Sequence, residues 1–221
     1  MPRAILPVVI AIVMGSFGAF GCAGHDASST SQRIARQDLT DANRAITEYW
    51  LYAYDMAGHT SQATDYDSAG NLKSTTTYSY SGNLRTASSM ADASGELMNT
   101  VEYTYSSGAL SSSTRRTSAG TVSALYNYVF DAGRKITSFY YMPDNSLVTR
   151  TEFNYDVPPT NKRLGSTNYD AYDAITGSSL RTYEQGLFTE TRIISGATTA
   201  YRKFHYQDGP LAVDVDDFFE F

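Results

Sequence analysis

At 221 residues the chain is long enough to bury one sizeable core and short for two. Its formal charge of −6 argues against nucleic acid as a partner, because neutralising phosphate requires a basic surface. Cys22 is the only cysteine, which excludes an internal disulfide and leaves the thiol for another use.

The first element is a secretory signal over residues 1–21. The stretch MPRAILPVVIAIVMGSFGAFGC has a basic start at Arg3, an apolar run from Ala4 to Phe20 and small residues before Cys22. Pro7, Gly15, Ser16 and Gly18 make that run marginal for a bilayer-spanning helix. Its end, AFGC, resembles the lipobox of bacterial lipoproteins, in which the signal is cut before the cysteine and the sulfur carries a diacylglycerol. Gly21 and Cys22 match that pattern, whereas Ala19 and Phe20 stand where Leu and a small residue are usual. The resemblance implies a chain held at the membrane through lipidated Cys22, each buried methylene contributing about 0.8 kcal/mol. A secreted protein with a free thiol is the alternative. Loss of the signal removes Arg3 and no acid, taking the charge from −6 to −7. The small polar residues AGHDASST then suit a tether over 22–31. Ala23 after the cysteine implies, by the sorting habit of lipoproteins, the outer membrane of a bacterial envelope.

Residues 32–49 read as a connector. Ile34, Leu39, Ala42, Ile46 and Tyr49 recur at steps of three to five, and Thr40 or Asp41 can cap a start, so a short helix near 40–48 is expected. It is read as packing on one end of a sheet rather than as a lid.

From Tyr52 the pattern changes to period two with glycine punctuation. Gly58, Gly70, Gly82, Gly95, Gly108, Gly120 and Gly133 follow one another at gaps of 12 or 13, and Asn145 takes the glycine's place after another 12. A fixed period marks a repeat architecture. DMAG at Asp55, DSAG at Asp67 and DASG at Asp92 place Asp first and Gly fourth, as a type I turn followed by a left-handed residue requires. MPDN at Met142 does the same with Pro143 and Asn145. Such turns reverse the chain and leave roughly eight residues between them, one ordinary strand each. The prediction is an all-β antiparallel meander of 12 or 13 short strands over residues 50–210, either a curled open sheet or a closed up-and-down barrel. In LKSTTTYSY one face carries Leu72, Ser74, Thr76, Tyr78 and Tyr80, so leucine starts a strand and aromatics end it on the same side. VPPTNKRLG at Val157 interrupts the sheet, because two prolines cannot sit in a central strand. Three less regular strands precede an acidic and aromatic tail over 211–221.

The segments YAYDMAGH, DYDSAGNL, YSYSGNL and YNYVFDAGRKI resemble the YD repeats of the Rhs class over roughly residues 50–155. Ser81 and Ser106 depart from that pattern by replacing its Asp. The resemblance implies extended, curling β-sheet and a cell-surface habit, and it carries over no catalytic residue. The shell that large members build around a toxic domain is out of reach for so short a repeat region.

The residues that carry chemistry are few. His25, His59 and His205 have no metal-ligand spacing, and no cofactor motif is present. Asp55, Asp67 and Asp92 sit where Asp bonds its own turn, which explains them without catalysis. DVDDFFE near the end lacks the glycine and spacing of a calcium loop and reads as a solvated tail. The remaining signal is an excess of tyrosine, 18 in all. Tyr78, Tyr80, Tyr103, Tyr105, Tyr126 and Tyr128 are the candidate surface for an envelope protein or a glycan; alternatively they are the sheet's own core. A non-enzymatic, lipid-anchored binding or structural protein is the leading expectation, with a barrel-type carrier of an apolar or glycan ligand as the other.

Overall fold

The structure is a computed structural model, described over residues 32–131, 134–156, 162–184 and 187–208. Fourteen strands follow in order: β1 Gln32–Thr40, β2 Ile46–Tyr54, β3 Thr60–Asp67, β4 Leu72–Ser81, β5 Leu84–Asp92, β6 Leu97–Ser106 and β7 Ala109–Thr117 form the first half. The second half is β8 Val122–Asp131, β9 Arg134–Tyr141, β10 Leu147–Tyr155, β11 Arg163–Asp170, β12 Ile175–Glu184, β13 Leu187–Ser195 and β14 Thr198–Asp208. Each strand pairs antiparallel with its neighbours in sequence, and β14 returns to β1 through eight register pairs from Gln32↔Asp208 to Thr40↔Tyr201. The sheet is therefore a closed up-and-down barrel, which removes the exposed edges an open meander would keep.

Three expectations change. Among the described residues the strands number fourteen rather than 12 or 13, and the helix near 40–48 is absent: β1 ends at Thr40 and β2 begins at Ile46 across a short turn. The connector at 32–49 is thus part of the wall, because β1 is the strand that closes the ring on β14. The double proline does not break the sheet either, since β10 and β11 pair from Thr149↔Asp170 to Tyr155↔Arg163 on either side of it. The signal, Cys22, the tether, Gly133 and the acidic tail lie outside the described residues.

The turns use the predicted chemistry. The Gly70 amide donates to the Asp67 carbonyl at 3.0 Å, and the Asp67 carboxylate accepts from the Ala69 and Asn71 amides at 2.9 and 2.8 Å. Gly70 and Asn145 close such turns at φ +85° and +65°. Elsewhere two-residue hairpins suffice: Ser107 and Gly108 are both left-handed, at φ 52° and 81°.

The core is a set of rings inside one end of the barrel. Each even strand ends in an inward aromatic, and each of these pairs with a buried residue of the neighbouring odd strand: Tyr80↔Arg85, Tyr105↔Leu110 and Phe130↔Lys135 are three of the seven. The others are Tyr54↔Thr60, Tyr155↔Arg163, Tyr183↔Phe188 and Tyr206↔Ile34. One step further in, large faces small: Tyr52↔Ala63, Tyr78↔Ser88, Tyr103↔Ser113, Tyr128↔Ser138 and Phe153↔Ser166. Small residues opposite leave room for each ring to lie across the lumen, and such cross-strand pairs contribute about 0.2–1 kcal/mol apiece. The phenols are satisfied as they enter. Tyr54, Tyr80, Tyr155 and Tyr183 donate to the carbonyls of Ile34, Thr60, Lys135 and Arg163, each 20 residues back, at 2.6–3.1 Å.

The leucines that start β4, β5 and β6 do not share this face, unlike Leu110 on β7. Leu72, Leu84 and Leu97 are 38–40% exposed. A register shift between Asp65 and Tyr66 sets Leu72 opposite Tyr66, and that one-residue slip turns the start of β4 outward.

Candidate functional site

A barrel of eight strands is filled by its side chains, and one of sixteen or more encloses a channel. Fourteen strands fall between, and the lumen is accordingly part filled. Beyond the two aromatic rings the repeat loses its regularity. The next inward pairs are Trp50↔Asp65, Thr76↔Met90, Val101↔Arg115, Tyr126↔Tyr140, Thr151↔Asn168, Ser179↔Ile193 and Leu39↔Arg202. At this level lie two cavities, of about 450 and 220 Å³. The larger is walled by β7 to β14, the smaller by β1 to β7 and β14. Arg115 on β7 and Arg202 on β14, half the ring apart, line both and so stand on the boundary between them.

The larger cavity holds four arginines, Arg115, Arg163, Arg181 and Arg202, and among the described residues no carboxylate lines it. Arg163 lies over the Phe153 ring at 3.9 Å and Arg181 over Phe188 at 4.5 Å, so aromatic faces position both guanidinium groups. Burial pulls the pKa of Arg202 below its usual value. The smaller cavity is more balanced: it includes Asp65, whose carboxyl is raised by burial and steadied by Lys73 at 3.7 Å. Lys73 also bonds Glu48 at 2.5 Å.

The tyrosines singled out from the sequence point inward. Tyr126 lines the larger cavity, stacked on Tyr140 at 5.1 Å between centroids, and Tyr78 lines the smaller. Tyr103 and Tyr128 share hydrogen bonds with Ser88 and Ser113 at 3.3 and 2.9 Å, Tyr80 bonds Thr60, and Tyr105 faces Leu110. Burial raises the Tyr78 phenol well above its ordinary value and pushes Tyr54 up to about 12, so both remain neutral donors at physiological pH.

The turn carboxylates are occupied as predicted. Asp92 accepts from the Ser94 and Glu96 amides at 2.8 and 2.9 Å, and Asp55 from the His59 amide at 2.9 Å. His59 is buried against the Tyr80 ring, with Nδ1 3.0 Å from Asp55 and Nε2 3.3 Å from Asn83. His205 meets Asp38 at 2.8 Å on the outside of the closing seam.

Sequence reasoning missed the inward cations. Their signal is a period of about 25 residues, the hairpin, rather than 12, the strand: Arg85, Leu110 and Lys135 occupy one position in successive hairpins. Reading every strand alike mixes the two strand types that alternate around the ring. The outer wall mixes exposed polar side chains, among them Thr77, Ser79, Glu102, Thr104, Asn127 and Thr182, with exposed apolar ones such as Leu51, Val129, Leu164 and Leu180.

No protein-family model and no curated protein matches the chain. Among solved structures it is similar to a porin-like protein from Bacteroides uniformis, 13% identical, over 79% of this chain and 96% of that one, with a TM-score of 0.43. It is also similar to the Tc holotoxin pore of Photorhabdus luminescens, 15% identical over 72% of this chain and 9% of that one, with a TM-score of 0.22. The TcdB2-TccC3 structure without its hypervariable C-terminal region gives 17% identity, 73% and 10% coverage and a TM-score of 0.22. Likenesses at this level carry no argument about activity, and the fold stands on the strand order of the chain itself.

Proposed function

We propose that the chain is a carrier of the bacterial cell envelope, tethered through lipidated Cys22, whose barrel holds a small ligand in its lumen without turning it over. The observation that carries this reading is the larger cavity, about 450 Å³ inside a closed ring. Small-molecule sites occupy roughly 300–1,000 Å³ and combine aromatic walls with a few placed polar groups. The YD-like repeat supplies the scaffold, two aromatic rings that fill one end, and the irregular level beyond them supplies the site. Binding rather than catalysis is favoured because the carboxylates of Asp55, Asp67 and Asp92 are committed to their own turns. The anchor is supported by the signal, by AFGC and by the polar tether, with the outer membrane implied by Ala23.

The test is native mass spectrometry of the full chain extracted gently from bacterial membranes, together with peptide mass spectrometry of its N-terminus. A diacylated Cys22 peptide and a non-covalent adduct that leaves on denaturation are expected. An unmodified Cys22 sinks the anchor; equal native and denatured masses across preparations sink the carrier.

A further inference from the structure

We infer that the larger cavity takes a neutral saccharide of roughly one or two rings, held by hydroxyl groups of the wall and by an aromatic platform. This rests on the carrier reading and names its ligand. The first support is the chemistry of the wall. Of the sixteen described residues that line the cavity, only Phe153 and Ile193 have side chains of hydrocarbon alone. An acyl chain in such a space would strip water from the polar groups and return no hydrogen bond to them.

The second support is the state of individual hydroxyls. Thr151 is engaged with Asn168 at 3.0 Å, and Ser166 with Ser179 at 2.8 Å. Ser138, Thr149 and Thr191 line the same cavity, and their hydroxyls have no hydrogen-bond partner among the described residues. None of the three is sealed off, so each can be reached by a ligand in the lumen. A hydroxyl both donates and accepts, and so does each hydroxyl of a sugar, whereas a peptide carbonyl only accepts. Partners of this kind, spread over a wall, therefore suit a ligand that carries hydroxyls around its edge.

The third support is placement. Tyr140 on β9 lies opposite Tyr126 on β8 and Thr149 on β10, and Ser138 stands two residues before Tyr140 on the same face. Tyr126 and Tyr140 are stacked, 5.1 Å between centroids, and both line the cavity. Cross-strand neighbours stand roughly 5 Å apart, about the width of one pyranose ring. A ring laid with its C–H face on the tyrosines thus has Ser138 and Thr149 at its edge, and Thr191 reaches the same space from β13.

Isothermal titration of the full chain in detergent provides the test, with maltose, cellobiose, galactobiose and chitobiose as neutral probes and digalacturonate and decanoate beside them. At least one neutral disaccharide is expected to bind, at least about tenfold tighter than decanoate and with an affinity that salt does not change. Thr149→Val and Ser138→Ala are each expected to weaken it by about tenfold, and Tyr140→Leu by at least as much. Thr104→Val, on the outer wall, leaves it unchanged. Far-UV dichroism shows whether each variant remains folded; should Tyr140→Leu unfold, the near-isosteric Thr149→Val decides. Equal or tighter binding of decanoate, or salt-sensitive binding of digalacturonate more than about tenfold tighter than every neutral sugar, overturns the neutral saccharide and leaves the carrier standing. Sugar binding that survives Thr149→Val and Ser138→Ala at full strength overturns the hydroxyl site. No binding of any probe also overturns it, and the carrier is then judged by the native mass adduct alone.

Discussion

Gly165 shows how tightly single residues are held in this wall. It lies on β11 opposite Leu180, and a Cβ built there would stand 2.0 Å from the carbonyl oxygen of Ser179. The obstacle is backbone of the adjacent strand, which cannot swing aside as a side chain can. Gly165→Ala is therefore expected to lower stability by about 1–3 kcal/mol, read as a lower urea midpoint. An unchanged midpoint contradicts the close approach of β11 and β12. Because Ser166 and Ser179 line the larger cavity and share a 2.8 Å hydrogen bond, the same close approach shapes the site.

The unit at the next scale is the hairpin. Asp67 and Asp92 hold their turns through accepted hydrogen bonds, and their carboxyl pKa values are depressed, Asp67 chiefly by the Asn71 side chain and Asp92 chiefly by the Ser94 side chain. Asp144 is lowered chiefly by the Ser146 side chain. A depressed folded-state pKa means stability fully present above the ordinary carboxylate value and lost as pH falls through the folded value. The double variant Asp67→Asn, Asp92→Asn keeps an acceptor oxygen and removes the titration. Its urea midpoint is expected to fall less than that of the parent between about pH 6 and pH 3. Parallel pH profiles for the two proteins count against the turn carboxylates as acid-sensitive elements. The alternation of hairpin ends also explains the placement of function: aromatic rings fill one end of the lumen, and the variable level beyond them is free to be specialised.

For the whole molecule the decisive contact is the seam between β1 and β14. Inside it Ile34, Phe188 and Phe204 form a buried cluster against Tyr52, Tyr183 and Tyr206, with Phe188 and Phe204 4.4 Å apart. Outside it Asp38 bonds His205 at 2.8 Å and Arg36 at 2.5 Å. Phe204→Ala removes a ring that is 4% exposed and leaves a void at the joint, for an expected loss of about 3–5 kcal/mol. Leu164→Ala, at a position 43% exposed on the outer wall, is the control and is expected to change little. Thermal unfolding followed by circular dichroism compares them, and equal effects speak against a packed seam. Loss of the joint returns the chain to an open sheet with two exposed edges and no enclosed lumen.

Local chemistry was enough to read an all-β chain that reverses at Asp55, Asp67, Asp92 and Asn145, because a turn is decided by the φ preferences and side-chain oxygens of four or five adjacent residues. Tyrosines forming the sheet's own core were the reading that their recurrence with the turns favoured, although Ser, Thr and Tyr suit either face of a strand. The helix near 40–48 failed for a related reason: spaced apolar residues in a short window fit helix and strand alike, and pairing with β2 and β14 settled the matter. The arginines of the lumen were illegible, because Arg among Ser and Thr looks solvent-facing until a ring has closed around it. Closure itself joins Ile34 to Tyr206. No local preference reaches across that separation, and the burial gained at the seam is what makes the meander a barrel with an inside.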